Sequence, residues 1–282
     1  MRLAYFTAGS VGAGHAVRGL ALGHALRRTG RPFTYRVFAP EGPFRAAEGP
    51  WTERVQIRRE ELQVPSAADG ALARQLRAFR PDLLLVDMFW APLRHVLPAL
   101  ACPAWLLVRK CPDRWFTGPP SAPFEPRQFQ RIFAIEPFAP PVPHEPLDPV
   151  VIVNPDERQP EGSLRAKLGV TSSRRLVVAL HAGVAGELDA LAAADADVMR
   201  LDLAAPDALF PAAAWLHDAD LILAGAGYNS FWEARWLDYA GRCRFTPFAR
   251  PIDDQAWRLR ACADVTPRQN GADALIRAAL GG

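Results

Sequence analysis

The chain has 282 residues, half of them hydrophobic, so it can bury the core of one large domain or of two ordinary ones. The formal net charge is +3, and the 33 basic residues, all arginine except Lys110 and Lys167, are scattered among acids, which argues against a nucleic-acid partner. The four cysteines show no C-x-x-C pair and no histidines at zinc-finger spacing, which favours free thiols in a reducing compartment.

Short apolar runs of strand length alternate with segments of helical periodicity. We predict strands at 3–7, 33–38, 83–86, 104–108, 132–135, 150–153, 176–180, 198–201, 221–223 and 243–246. We predict helices at 16–28, 71–79, 93–100, 163–168, 230–237, 254–263 and 269–280. This alternation predicts an α/β fold of Rossmann-like, doubly wound parallel sheets.

The middle of the chain has a different composition. Twelve of the 27 prolines fall between Pro112 and Pro155, and aromatic residues are interleaved with them. Few helices tolerate that proline density. The stretch 112–138 is either a packed structural connection or a lid that contacts an apolar acceptor. The turn-rich segment 155–165 predicts a boundary between domains 1–158 and 159–282, with the last helix free to pack back on the first domain.

A glycine-rich turn follows the first predicted strand. It reads G-x-x-G-x-G-H-x-x-R, with Gly9, Gly12 and Gly14 ahead of His15 and Arg18. Helical periodicity starts near His15, at the sheet edge where α/β folds bind ligands. A positive helix terminus disfavours the imidazolium, so the ring stays neutral and able to accept a proton. His15 is therefore a candidate general base, and the alternative is a turn residue bonded to nearby backbone.

A second glycine-rich turn follows the predicted strand 221–223. Gly225 and Gly227 precede Asn229 and Ser230, which stand at the start of a helix. Both polar residues are favoured helix caps, and both can also donate to a pyrophosphate at the helix terminus. Glu233, one turn further on, is placed to accept hydrogen bonds from two ribose hydroxyls.

Two further loops end strands in the second half. Asp253, Asp254 and Gln255 begin a helix after one strand, and His181 and Gly183 follow another. The two aspartates serve equally well as helix caps, so spacing alone leaves their role open.

Taken in order, G-x-G-H-x-x-R, A-G-A-G-Y-N-S-x-x-E and R-P-I-D-D-Q resemble the GT-B glycosyltransferases. The most similar branch is that of the peptidoglycan N-acetylglucosaminyltransferase, in glycosyltransferase family 28. The resemblance implies two Rossmann-like domains facing a cleft. It also implies inverting, metal-independent transfer of a hexosyl or N-acetylhexosaminyl group from a UDP- or dTDP-sugar to an acceptor of unknown identity, without a cofactor.

The resemblance also assigns roles to residues. The donor-binding set is Gly225, Gly227, Asn229, Ser230, Glu233, Asp254, Gln255, His181 and Gly183. Within it, the turn at 227–230 would hold the diphosphate, Glu233 the ribose, and Asp254 with Gln255 the sugar hydroxyls. His15 would lie at the reacting centre, accompanied by Gly12, Gly14 and Arg18.

Two alternatives use the same fold. The N-terminal motif and the chain length also resemble the nucleotide-sugar hydrolase of pseudaminic acid synthesis, in which water replaces the acceptor. A non-catalytic nucleotide-sugar-binding protein would keep the second motif while losing the base. The presence of His15 argues against that second alternative.

The sequence also suggests where the protein works. The apolar stretch after Arg2 is shorter than a signal peptide, and no apolar run reaches the length of about 18 residues that a membrane helix needs. We expect a cytoplasmic protein without a transmembrane segment, and peripheral membrane contact stays open.

Overall fold

The computed structural model describes residues 1–9, 14–41, 52–62, 67–120, 122–181, 184, 186–193, 197–203, 205 and 208–281. They form two parallel sheets, one for each half of the chain. This confirms the predicted architecture of two α/β halves built on parallel sheets. Within the described ranges, no helix combines the length and apolar character needed to cross a membrane.

The first sheet has seven strands in the order β3-β2-β1-β4-β5-β6-β7, all pairs parallel. Its strands are β1 (Arg2–Phe6), β2 (Thr34–Pro40), β3 (Glu53–Ile57), β4 (Leu83–Asp87), β5 (Ala104–Val108), β6 (Arg131–Ala134) and β7 (Glu145–Pro146). β4 and β5 are buried along their whole length because helices and loops cover both faces of the sheet. The carboxyl ends of β1, β4 and β5 therefore lie side by side.

The second sheet has four strands in the order β11-β10-β8-β9. They are β8 (Val177–His181), β9 (Met199–Asp202), β10 (Leu221–Gly225) and β11 (Cys243–Thr246). The α-helices of the described residues are α1 (Gly14–Arg28), α2 (Ala71–Phe79), α3 (Ser163–Leu168), α4 (Glu187–Ala192), α5 (Tyr228–Trp236), α6 (Gln255–Ala261) and α7 (Gly271–Ala279). One continuous apolar core joins both halves, and a second core lies on the other face of the first sheet.

Two predicted elements are wrong. The segment 93–100 is not a helix but part of two short 3₁₀ turns, Ala91–Leu93 and Leu97–Ala99, each with a proline near its start. The segment 150–153 is fully buried yet joins no sheet. Its backbone is held by side chains instead: the Tyr228 hydroxyl accepts from Val150 N, and the Trp236 indole donates to Val153 O.

The last helix, α7, packs against α1 of the first half. Gly271, the first residue of α7, lies so close to the backbone at Asp148 that a Cβ on it would be 1.8 Å from the Asp148 carbonyl oxygen. Arg28 at the end of α1 donates to Asp273 at 2.8 Å. The chain therefore crosses back to the first half, while the domain boundary near 158 stays a prediction.

Candidate active site

A cleft of about 440 Å³ opens between the carboxyl ends of the two sheets. Its lining includes the predicted residues Gly14, His15, Arg18, His181, Gly225, Gly227, Asn229, Ser230, Glu233 and Gln255. Asp254 is not among the lining residues, and Gly12 and Gly183 fall outside the described part of the chain. The structure therefore gathers most of the predicted set from both halves around one space.

His15, in the first turn of α1, is bound to a buried carboxylate. Its Nδ1 lies 2.8 Å from Asp87 Oδ2, at the end of β4 next to β1. His15 is 7% exposed and Asp87 is fully buried. Nδ1 also lies 2.7 Å from Arg18 Nη2, so it faces one acceptor and one donor. When Nδ1 carries the ring proton and donates it to the carboxylate, Nε2 has the free lone pair. This is the tautomer that a general base requires.

Two other side chains converge on the same carboxylate. The Tyr5 hydroxyl donates to Asp87, and the Arg18 guanidinium donates to both of its oxygens, at 3.0 and 3.1 Å. These interactions keep the pKa of Asp87 well below its usual range despite burial, so the group stays ionised. A fixed negative charge beside the imidazole stabilises the imidazolium that forms when the ring takes a proton.

The His15 ring is neutral at physiological pH. Burial lowers its pKa to about 4, the Asp87 charge opposes that effect, and Arg18 adds to it. The ring also contacts Phe89, with 5.0 Å between centroids. It is thus desolvated, oriented and uncharged before any ligand binds.

Gly9 makes this position of the ring possible. A Cβ on Gly9 would lie 2.4 Å from Cδ2 and 2.8 Å from Cγ of His15. Carbon atoms in ordinary contact are about 3.5–4.0 Å apart, so any side chain here would displace the imidazole. The glycine at this point of the first turn is required by close packing.

The start of α5 forms the opposite wall of the cleft. Gly227 is the N-cap residue, and a Cβ built on it would meet no atom within 4 Å. The Asn229 amide donates to the Gly14 carbonyl of the first half at 3.1 Å, while its Oδ1 is buried without a partner in the described chain. Open space over a helix N-terminus is suited to a phosphate group.

Glu233 lies one turn into α5 and lines the cleft. Burial raises its pKa from 4.5 to about 8, so the carboxyl is protonated at neutral pH. A carboxyl kept in this state has hydrogen-bonding capacity left for a ligand.

Asp254 and Gln255 occupy different places. Asp254 caps α6, where its Oδ1 accepts from Trp257 N at 2.8 Å. Gln255 is 6% exposed, accepts from Phe248 N and donates to Asp253. It is therefore Asp253, rather than Asp254, that lines the cleft beside Gln255.

His181 ends β8 within the cleft. Its Nε2 lies 2.6 Å from Glu187 Oε2, and Arg250 donates to the same oxygen. Burial lowers the pKa of His181, so this ring too tends to be neutral. These contacts tie the end of β8 and the start of α4 to the loop before α6.

Charged side chains under the cleft join the two halves. Glu136, 2% exposed, accepts from the fully buried Arg258 at 2.9 and 3.2 Å, and from the Trp232 indole at 3.1 Å. Arg109 after β5 donates to Asp253 of the second half.

Sequence reasoning missed Asp87, Phe89, Arg109 and Glu136. Asp87 and Arg109 each directly follow an unbroken apolar run of the sequence, 83–86 and 104–108, and a polar residue at that position is the signal that could have identified them. Of the aromatic stretch 112–138, Phe116, Phe124 and Phe129 are buried in the second core. The half-buried Trp115 packs edge-on against Phe89, 5.4 Å away, and none of the described residues of the stretch lines the cleft itself.

Among the described residues, no group of three or more His, Cys, Asp or Glu side chains is arranged to hold a metal ion.

Comparison with known proteins gives its result at the level of structure. No family model and no curated protein sequence matches the chain. The spinosyn forosaminyltransferase SpnP matches with a TM-score of 0.60 at 15% identity, over 100% of this chain and 89% of that one. SsfS6 of Streptomyces sp. SF2575, complexed with thymidine diphosphate, matches with a TM-score of 0.57 at 16% identity, over 98% and 90%.

The spinosyn rhamnosyltransferase SpnG, complexed with thymidine diphosphate, matches with a TM-score of 0.52 at 18% identity, over 100% and 92%. At these identities the likeness concerns the fold. The chain has the two-sheet GT-B fold, as predicted. The relation to the peptidoglycan N-acetylglucosaminyltransferase branch stays a prediction.

Proposed function

We propose that this protein transfers a sugar from a nucleotide-diphosphate sugar to an acceptor hydroxyl. The observation that carries the proposal is a neutral histidine bound to a buried aspartate, His15 on Asp87, in a cleft that also holds the N-terminus of α5. The first element suits proton abstraction, and the second suits a diphosphate.

We assign the donor to the second domain, 159–282, and the acceptor to the first, 1–158. The diphosphate would lie on the start of α5, over Gly227 and near Ser230, where backbone N–H groups and the helix dipole offset negative charge. Glu233 would accept hydrogen bonds from the ribose hydroxyls. Thymidine diphosphate is one candidate, because SpnG and SsfS6 were both obtained with it. Uridine diphosphate is the other, on the resemblance of the sequence motifs.

In the proposed reaction His15 acts as general base. Nε2 takes the proton of the acceptor hydroxyl as its oxygen bonds to the anomeric carbon, and the bond from that carbon to the diphosphate oxygen breaks with both electrons. Attack from the face opposite the leaving group inverts the configuration. Asp87 stabilises the imidazolium, and α5 stabilises the departing diphosphate without requiring a cation.

The acceptor would approach His15 along Phe89 and Trp115. Phe89 lines the cleft 5.0 Å from the His15 ring, and Trp115 packs edge-on against Phe89. This aromatic wall favours an apolar acceptor. SpnG has been obtained with spinosyn aglycone, and it matches this chain with a TM-score of 0.54 at 20% identity.

A ligand panel followed by a turnover assay tests the proposal. Thermal unfolding is measured with uridine and thymidine diphosphates and their sugars; a ligand at 100 times its Kd adds about 2.7 kcal/mol of stability. Turnover of the stabilising sugar donor is then followed with and without acceptor alcohols. His15→Ala should lower transfer by about 10²–10⁴-fold with unchanged donor affinity.

Three results would contradict the proposal in different ways. If no nucleotide raises the thermal stability, the proposed donor site is wrong. Wild-type turnover in His15→Ala makes the histidine a turn residue. Release of free sugar at the same rate with and without acceptor indicates a hydrolase.

A further inference from the structure

Arg109 is a buried cation whose hydrogen-bonding capacity is mostly unused. It directly follows β5, is 5% exposed and lines the cleft. A buried guanidinium is costly unless its donors are paired. In the described chain its side chain has one hydrogen bond, from Nη1 to Asp253, and its Nε is buried without a partner.

The two neighbouring buried arginines differ in this respect. Arg18 donates to Asp87 through both Nε and Nη2. Arg258 donates to Glu136 through Nε and Nη2, and to the Ala226 carbonyl through Nη1. Both use the planar fork of the guanidinium on a carboxylate, while Arg109 meets its own carboxylate through a single nitrogen.

Asp253 does not depend on Arg109. It also accepts from Arg258 Nη2 at 2.7 Å and from Gln255 Nε2 at 3.3 Å. If Arg109 turned toward a ligand, Asp253 would keep two partners and its charge would stay paired.

The local charge distribution favours an anion beside Arg109. Burial lowers the pKa of Arg109, the Asp253 charge opposes that effect, and the positive charges of Arg18 and Arg258 add to it. An extra negative charge at the guanidinium would relieve both the desolvation and the repulsion.

We propose that Arg109 is an anion-binding residue of the cleft, whose free donors take a phosphate or carboxylate oxygen of the ligand from the wall formed by the first half. The proposal rests on the proposed function only for the source of the anion, which is either the diphosphate of the donor or a carboxylate on its sugar. Both groups match the guanidinium fork. The competing role is a purely structural tie between the halves.

Calorimetric titration of wild type, Arg109→Gln and Asp253→Asn tests this assignment. The probes are inorganic pyrophosphate, uridine and thymidine with their diphosphates, and UDP-glucose against UDP-glucuronate. Arg94→Gln is the matched control, because Arg94 also pairs with one carboxylate, that of Glu125 at 2.6 Å, and lies outside the cleft lining. Thermal unfolding checks that each variant is folded. If Arg109→Gln is not folded, Arg109→Lys takes its place, because lysine keeps the positive charge but lacks the guanidinium fork.

Arg109→Gln should lower the affinity for pyrophosphate and for both nucleoside diphosphates at least about tenfold, and change the affinity for the nucleosides less than twofold. Arg94→Gln should change none of these affinities more than twofold. Asp253→Asn should strengthen anion binding, since it releases the guanidinium; a structural tie would instead make both variants weaken it. If Arg109→Gln loses only a preference for UDP-glucuronate over UDP-glucose, the anion that Arg109 binds is the carboxylate of the sugar.

Unchanged anion affinities in Arg109→Gln, or no anion binding by wild type, overturn the assignment. Pyrophosphate binding that depends on Arg109, in a protein that binds no nucleotide, would uphold the assignment and remove the proposed function.

Discussion

Replacing Gly9 by alanine would force a methyl group into the His15 ring. The new Cβ would lie 2.4 Å from Cδ2 and 2.8 Å from Cγ, against about 3.5–4.0 Å for carbon atoms in contact. Relief of that overlap moves the imidazole by about 1 Å, enough to break its 2.8 Å contact with Asp87. A misplacement of this size costs about 10²-fold in rate, so turnover should fall about a hundredfold while donor affinity is retained.

The assay compares kcat and nucleotide Kd for Gly9→Ala and Gly241→Ala. Gly241 is a fair control because a Cβ there meets no atom within 4 Å and its φ is not positive. An NMR titration of His15 supplies a readout independent of turnover, since a displaced ring should no longer titrate near pH 4. Wild-type kcat in Gly9→Ala, with His15 still titrating near 4, would refute the reasoning.

Two further predictions concern carboxyl groups. Asp87→Asn should lower turnover by about 10²–10⁴-fold with unchanged nucleotide Kd, since the ring loses its orienting acceptor; equal losses in kcat and affinity would instead indicate a collapsed cleft. For Glu233, the folded pKa of about 8 exceeds the ordinary 4.5, so between these values the folded chain binds more protons and its free energy of unfolding falls as pH rises. Glu233→Gln lacks this dependence. In denaturant unfolding from pH 4 to 9, the free energy of unfolding of the variant should therefore rise relative to that of wild type by at most about 5 kcal/mol. Parallel plots of the two free energies against pH would mean that the carboxyl is solvated.

Much of the fold was accessible from the sequence because burial leaves a local pattern. β4 and β5 read as unbroken apolar runs, and both were predicted close to their observed bounds. The segment 150–153 shows the limit of that signal, because it is equally apolar and buried yet bonds to side chains such as Tyr228. Burial alone does not tell a strand from a buried connection.

The candidate site divides along the same line. His15 was identifiable because its glycine-rich turn is local, whereas Asp87 lies 72 positions away and is brought to it only by the pairing of β4 with β1. Arg109 and Asp253 meet across the cleft, at 144 positions of separation. Such partners depend on strand order and on the contact between halves, neither of which spacing within a segment encodes.

The contacts that cross beneath the cleft have a consequence for unfolding. The Tyr228 hydroxyl of the second half donates to the Ile135 carbonyl, and Arg258 neutralises Glu136. If either half unfolded alone, the other would lose these partners and expose its part of the apolar core that the two halves share. Despite the two sheets, we therefore expect the halves to unfold together in one transition, and neither half to persist as an independently stable fragment.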